Sequence, residues 1–144
     1  NYPQLSSLDL KAGVRFRDSA PFLLDCQFAV NTPVKKAGSV RGPHLDDPKE
    51  LFGGMVYMGG GSLDLYKWKD KRKFVGRKGM VKKAECAKGS VEKAASITCN
   101  PGTVVLFLNT LDSIHGVAPR KKGDGFRSYL NLIGEVDKPL FDLK

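Results

Sequence analysis

The chain has 144 residues, 41% of them apolar, with a formal net charge of +9. That length suits a single domain, 1-144, with room for a core. No apolar run approaches the ~20 residues of a membrane helix, and no signal-peptide pattern is present. Three cysteines, Cys26, Cys86 and Cys99, are odd in number and lack C-x-x-C spacing. This excludes a cysteine zinc framework, argues against structural disulfides and favours a reducing, cytoplasmic setting, with the thiols expected as small core residues. The chain opens on Asn1 rather than Met, which fits a fragment or processed form lacking N-terminal support elements.

The positive charge is concentrated. Residues 67-93 hold eleven Lys or Arg against three acids, Asp70, Glu85 and Glu92. Such a segment suits either a solvated basic loop or a surface that steers an anionic partner.

Along the chain, Val14 to Arg17 is a short alternating piece that reads as an edge strand after an entry loop. Phe22 to Val30 is apolar and aromatic and stops at Asn31-Thr32-Pro33, as a buried strand should. A polar loop, Lys35 to Gly42, leads to Gly42-Pro43-His44-Leu45-Asp46-Asp47-Pro48. In an extended strand residues two apart share a face, so His44 and Asp46 can grip one metal ion. Asp47 points the other way and, before Pro48, starts a turn.

Met55 to Met58 reads as a second strand, and Gly59-Gly60-Gly61 as a tight turn or bulge. This glycine run lacks the Lys-Ser/Thr of a phosphate loop. Leu63 to Trp68 alternates with period two and is a strand. The basic segment should form loops with one or two short strands, such as Met80 to Glu85. Tyr66, Trp68 and Phe74, interleaved with basic residues, either form a stacking platform for single-stranded nucleic acid or cover the core. Thr103 to Leu108 is apolar on both faces and is expected to be central. After it come a polar turn, Ile114 to Val117, a charged loop and a long strand from Phe126 to Val136. About eight or nine short strands with little helix predict an all-β sandwich or barrel.

His44 and His115 are the two histidines of the chain. With Asp46 they make the two-His, one-carboxylate facial triad of non-haem Fe(II) oxygenases, which leaves adjacent positions open. Arg127 follows His115 by twelve residues, and strand alternation sets Arg127 and Tyr129 on one face. An inward arginine needs a partner, and the carboxylate of a cosubstrate is one. Asp112 and Ser113 beside His115 do not make a hydrolytic triad, because triad members converge from separate segments.

The ordered set of His44-Leu45-Asp46-Asp47-Pro48, Val56-Tyr57-Met58, Gly60-Gly61-Ser62-Leu63, Pro101-Gly102-Thr103, His115-Gly116-Val117 and Arg127 resembles the Fe(II)- and 2-oxoglutarate-dependent oxygenases, in their prolyl-hydroxylase-like branch. The resemblance implies a double-stranded β-helix, a jelly-roll or cupin-like barrel. It implies Fe(II) on His44, Asp46 and His115, with the distal carboxylate of 2-oxoglutarate on Arg127 and a further hydrogen bond from Tyr57. The implied reaction consumes O2, converts 2-oxoglutarate to succinate and CO2, and hydroxylates a C–H bond.

Two departures shape the expectation. Asn31-Thr32-Pro33 stands where prolyl hydroxylases often carry a further tyrosine, which argues against a prolyl substrate. Arg120 precedes Arg127 at an odd offset, unlike the arginine pair of the nucleic-acid dealkylating branch, so nucleic acid is disfavoured as substrate. The primary substrate is unread beyond a bias toward an anionic molecule. The competing reading is a non-catalytic cupin-like module that holds an acidic glycan, protein or nucleic acid through residues 67-93.

Overall fold

A computed structural model describes residues 11-75 and 84-143. Among them are ten strands and no helix: β1 (Ala12–Val14), β2 (Phe22–Asn31), β3 (Glu50–Gly59), β4 (Ser62–Trp68), β5 (Phe74–Val75), β6 (Glu85–Cys86), β7 (Val91–Thr98), β8 (Val104–Leu108), β9 (His115–Val117) and β10 (Arg127–Val136). Among the described residues no helix is long and apolar enough to cross a membrane. The fold is all-β with several sheets, as in a β-sandwich.

The larger sheet runs β1-β2-β10-β3-β8, and a second runs β7-β4-β9. Residues 43-46 extend the second sheet through single bridges, His44 pairing antiparallel with His115 on one side and with Glu85 of the β5-β6 pair on the other. The motif segment is thus threaded between β9 and β6. Its backbone polar groups are used: Leu45 N donates to Ala84 O, and Cys86 N donates to Pro43 O.

The two larger sheets meet over Met55 and Tyr57 of β3 and Leu63 of β4, with Cys99, Leu65, Ile97, Val105, Phe107 and Tyr129 packed around them. A second apolar cluster, Leu45, Ala84 and Ile114, is surrounded by Tyr66, Trp68 and Phe74. The aromatics of the basic segment therefore pack on the core behind the motif strand. Their rings do not form a free stacking platform.

β3 begins five residues before the expected Met55, running through Gly53 and Gly54. Glycine there leaves room for neighbours: a Cβ at Gly53 would meet the Phe107 ring at 2.7 Å, and one at Gly54 would meet Leu106 at 3.2 Å. β7, whose alanines blur the alternation, carries no strong strand signal in sequence. Of the expected strand Met80 to Glu85, residues 80-83 lie outside the described residues, and Glu85 pairs with Val75.

The expectation that Thr103 to Leu108 is central is corrected. β8 is an edge strand of the larger sheet, with Val105 and Phe107 turned inward and Leu106 68% exposed. The outward row Val104, Leu106 and Leu108 continues across the sheet as Met58, Phe28, Val30 and Leu24. Apolarity on both faces marked a strand with an exposed apolar outer face rather than one flanked by two neighbours. Cys26 belongs to that outer face and is exposed; Cys99 alone of the three thiols is buried.

Candidate metal centre

His44, Asp46 and His115 come together as the sequence predicts, and all three are buried. One ligand atom from each lies within 4.8 Å of the others. Asp46 sits between the rings, with Oδ1 3.7 Å from His44 Nε2 and Oδ2 3.4 Å from His115 Nε2. The neighbouring strands supply this convergence. The antiparallel bridge between His44 and His115 sets their rings side by side, with centroids 4.5 Å apart.

Both imidazoles are held in the orientation a metal ligand needs. Nδ1 of His44 lies 2.7 Å from Gly42 O, and Nδ1 of His115 lies 2.9 Å from Ser113 O. A carbonyl can only accept, so each Nδ1 carries a proton, and Nε2, the atom that faces Asp46, is the one left to act as a ligand. Burial lowers the His44 pKa from 6.5 to about 3, helped by the neighbouring His115 and Arg41 and opposed by Gly42 O and Asp46. His44 is therefore neutral near pH 7, as a ligand must be.

Asp47 takes the structural role that alternation gives it. Its Oδ1 accepts from Lys49 N at 3.0 Å, closing the turn into β3.

Asn109 is a residue the sequence did not single out. Completely buried, it donates from Nδ2 to the carbonyls of Asp47 (2.7 Å) and Glu50 (2.9 Å), and its Oδ1 accepts from Ser113 Oγ (3.2 Å). One amide thus joins the turn after Asp46 to the turn before His115. Its position at the end of an apolar strand, followed by Thr110 to Ser113, signals a turn; the partners 60 residues away have no local signature. Trp68 adds a second tether, Nε1 donating to Leu111 O at 2.8 Å.

Arg127 is 1% exposed and points into the same cavity as Tyr129, which settles their shared face as inward. It pairs across the strands with Asn31, whose Oδ1 accepts from Nη1 at 2.8 Å, while Tyr57 Oη accepts from Nη2 at 3.0 Å. The guanidinium carbon stands 4.4 Å from the Tyr129 ring centroid and 5.1 Å from that of Tyr57. Burial raises the Tyr57 phenol above its ordinary value, against the pull of Arg127, so it remains a neutral hydroxyl. Nε of Arg127 is buried with no hydrogen-bond partner, and no carboxylate pairs with this arginine among the described residues.

The glycine run has a clear local reason. A Cβ on Gly60 would sit 2.4 Å from Phe126 O, and one on Gly61 would sit 3.3 Å from Arg127 Cδ. Both have positive φ, so glycine lets the β3-β4 turn press against the start of β10 and bury Arg127.

Arg120 is buried but serves elsewhere. It donates to the carbonyls of Thr32, Asp124 and Gly125 and its backbone bridges Gly38, fastening the loops around the cavity rather than lining it. The cavity itself, about 170 Å³, runs from Arg41, His44, Asp46 and His115 past Arg127 and Tyr129 to Glu50.

No protein-family model, no curated protein and no solved structure matches the chain.

Proposed function

We propose that this protein is an Fe(II)- and 2-oxoglutarate-dependent dioxygenase, of hydroxylase type, on a jelly-roll (double-stranded β-helix) scaffold. The strand sequence supports the scaffold. β2, the 43-46 segment, β3 and β4 alternate between the two sheets, and β7, β8, β9 and β10 do so again, each set interleaved with the other.

The observation that carries the chemistry is a three-ligand cluster sharing one cavity with a buried arginine whose Nε has no partner. Two imidazoles and a carboxylate suit a borderline divalent ion such as Fe(II), and three ligands alone leave it open to further ones. Zinc accepts the same donors, but a hydrolytic zinc site has no need of Arg127. A buried guanidinium without a counter-anion costs several kcal/mol, which a ligand carboxylate offsets.

His44, Asp46 and His115 would hold the iron, and Arg127 the distal carboxylate of 2-oxoglutarate. Asn31 and Tyr57 fix the guanidinium plane, and Tyr129 covers its face. Tyr129 therefore shapes the anion site by packing on Arg127. Iron with 2-oxoglutarate and O2 would supply the oxidation of a C–H bond, with succinate and CO2 released. The chain contributes ligand geometry, a fixed anion fork and an apolar wall, Met55, Leu63 and Phe107, that limits water.

The test adds ferrous iron and 2-oxoglutarate without oxygen, then admits air. A visible charge-transfer band followed by succinate is expected. Absence of both removes the proposal.

A further inference from the structure

We infer that the protein carries a second ligand site, apart from the metal cavity, where Lys69, Lys71, Lys73 and Lys88 bind a compact anion bearing two or more phosphate groups. The site is independent of the oxygenase reading.

It is a concavity of about 390 Å³ beyond the end of β4, between the 69-73 loop and the turn that precedes β7. That volume lies in the range of small-molecule sites. Its lining shares no residue with that of the metal cavity. Backbone bonds clamp its two sides together. Lys69 N donates to Ser90 O at 3.0 Å and Ala87 N to Lys73 O at 2.8 Å, so each end of the 69-73 loop is tied to the opposite turn. Ser90 closes that turn, its N and Oγ both donating to Ala87 O, and Gly89 supplies the positive φ, +82°. The lysines are thus mounted on a fixed frame.

Their charge has no internal match. Lys67 pairs with Glu92 at 3.0 Å, and Arg72 reaches both oxygens of Asp112, at 3.1 and 3.2 Å. Among the described residues, Lys69, Lys71, Lys73 and Lys88 make no ion pair, and Asp70 is the acid that shares their concavity. Residues 76-83, outside the described residues, add four cations and no acid to the sequence. Four ammonium groups against one carboxylate leave three positive charges in excess around one small space. They repel one another until an anion enters.

The lining decides the ligand class. Ammonium groups are point charges that suit phosphate, whereas Arg72, whose fork would favour a planar carboxylate, is turned to Asp112. Trp68 and Phe74 pack on the core, so no aromatic face is offered to a nucleic-acid base. Three charges in so small a space match a di- or triphosphate better than a single phosphate.

The experiment titrates the full, metal-free chain, with chelator, against orthophosphate, pyrophosphate and tripolyphosphate by calorimetry. Tripolyphosphate should bind at least about tenfold more tightly than orthophosphate. The double variant Lys71→Gln/Lys88→Gln should lose about tenfold, the worth of two solvent-screened ion pairs. Lys121→Gln/Lys122→Gln, on an exposed loop elsewhere, should lose nothing. Phosphatidylcholine vesicles carrying a phosphatidylinositol bisphosphate separate two sources of the same chemistry. Sedimentation with them through these lysines makes the ligand a lipid headgroup, and tripolyphosphate binding without it makes the ligand a free phosphate compound. Either result supports the site. No binding to either probe, equal affinity for orthophosphate, or an equal loss in the Lys121/Lys122 variant would overturn it. So would a loss that follows Arg127→Gln instead, or a single-stranded oligonucleotide that binds these lysines more tightly than tripolyphosphate does.

Discussion

The two ends of the cavity are held by different kinds of structure. At one end His44 is the single bridged residue of its segment and His115 lies on a three-residue strand; they are tied by that bridge, by histidine Nδ1 bonds to nearby carbonyls and by Asn109. At the other end Arg127 and Tyr129 belong to a ten-residue strand paired on both sides, opposite Asn31, Ala29 and Tyr57. The first end is assembled by tertiary contacts and should respond to distant substitutions. The second is stiff, and its chemistry should respond only to the side chains that touch the guanidinium.

The largest effect tests the metal end. His115→Ala should weaken Mn(II) or Fe(II) binding by more than about 100-fold, since losing a direct ligand exceeds the effect of losing an outer partner. Calorimetric titration reads this, and 2-oxoglutarate would still find Arg127. Equal metal affinity in the variant would dissolve the site.

The metal-free protein carries a related signature. His44 is held neutral in the fold, at about 3 against 6.5 for an unperturbed imidazole. A lowered pKa contributes stability that is fully present above about pH 6.5 and is lost as the pH falls toward 3. Thermal melts of metal-free protein across that window should fall, and His44→Gln should flatten the fall.

Next in size, Arg127→Ala should cost 2-oxoglutarate binding about 3 kcal/mol and leave metal affinity nearly unchanged, because the guanidinium touches none of the three ligands. A comparable loss of metal affinity would mean that the two ends are not separable.

Asn109→Ala sharpens the contrast. It touches no ligand side chain, yet it should reduce metal affinity about tenfold, in the manner of an outer-shell partner. It should also lower stability by about 2 kcal/mol, because Glu50 O loses its side-chain donor and Asp47 O keeps only Glu50 N. The same substitution should leave 2-oxoglutarate affinity at saturating metal unmoved. Tyr57→Phe is the smallest, removing one neutral acceptor from Arg127 at about 1 kcal/mol of cosubstrate affinity.

Legibility in the sequence followed the range of the interactions involved. Strand alternation chose Asp46 over Asp47 and put Arg127 with Tyr129, because a period of two is a local property of extended backbone. The same rule could not say whether that face looked inward. It also misplaced Thr103 to Leu108: two apolar faces indicate burial only if something covers both, and β8 is covered on one. Cys26 was misjudged for the same reason.

The residues by themselves determined an all-β chain, the turn glycines, and which two histidines and which carboxylate could be ligands. Only the tertiary structure decided that His44 bridges His115, that Asn109 joins their two turns, and that Arg127 is buried with an unsatisfied Nε. Local backbone geometry is written in adjacent residues. The pairing of segments 60 to 90 positions apart depends on which faces bury each other, and a hydrogen bond across that distance leaves no mark on the sequence around either partner.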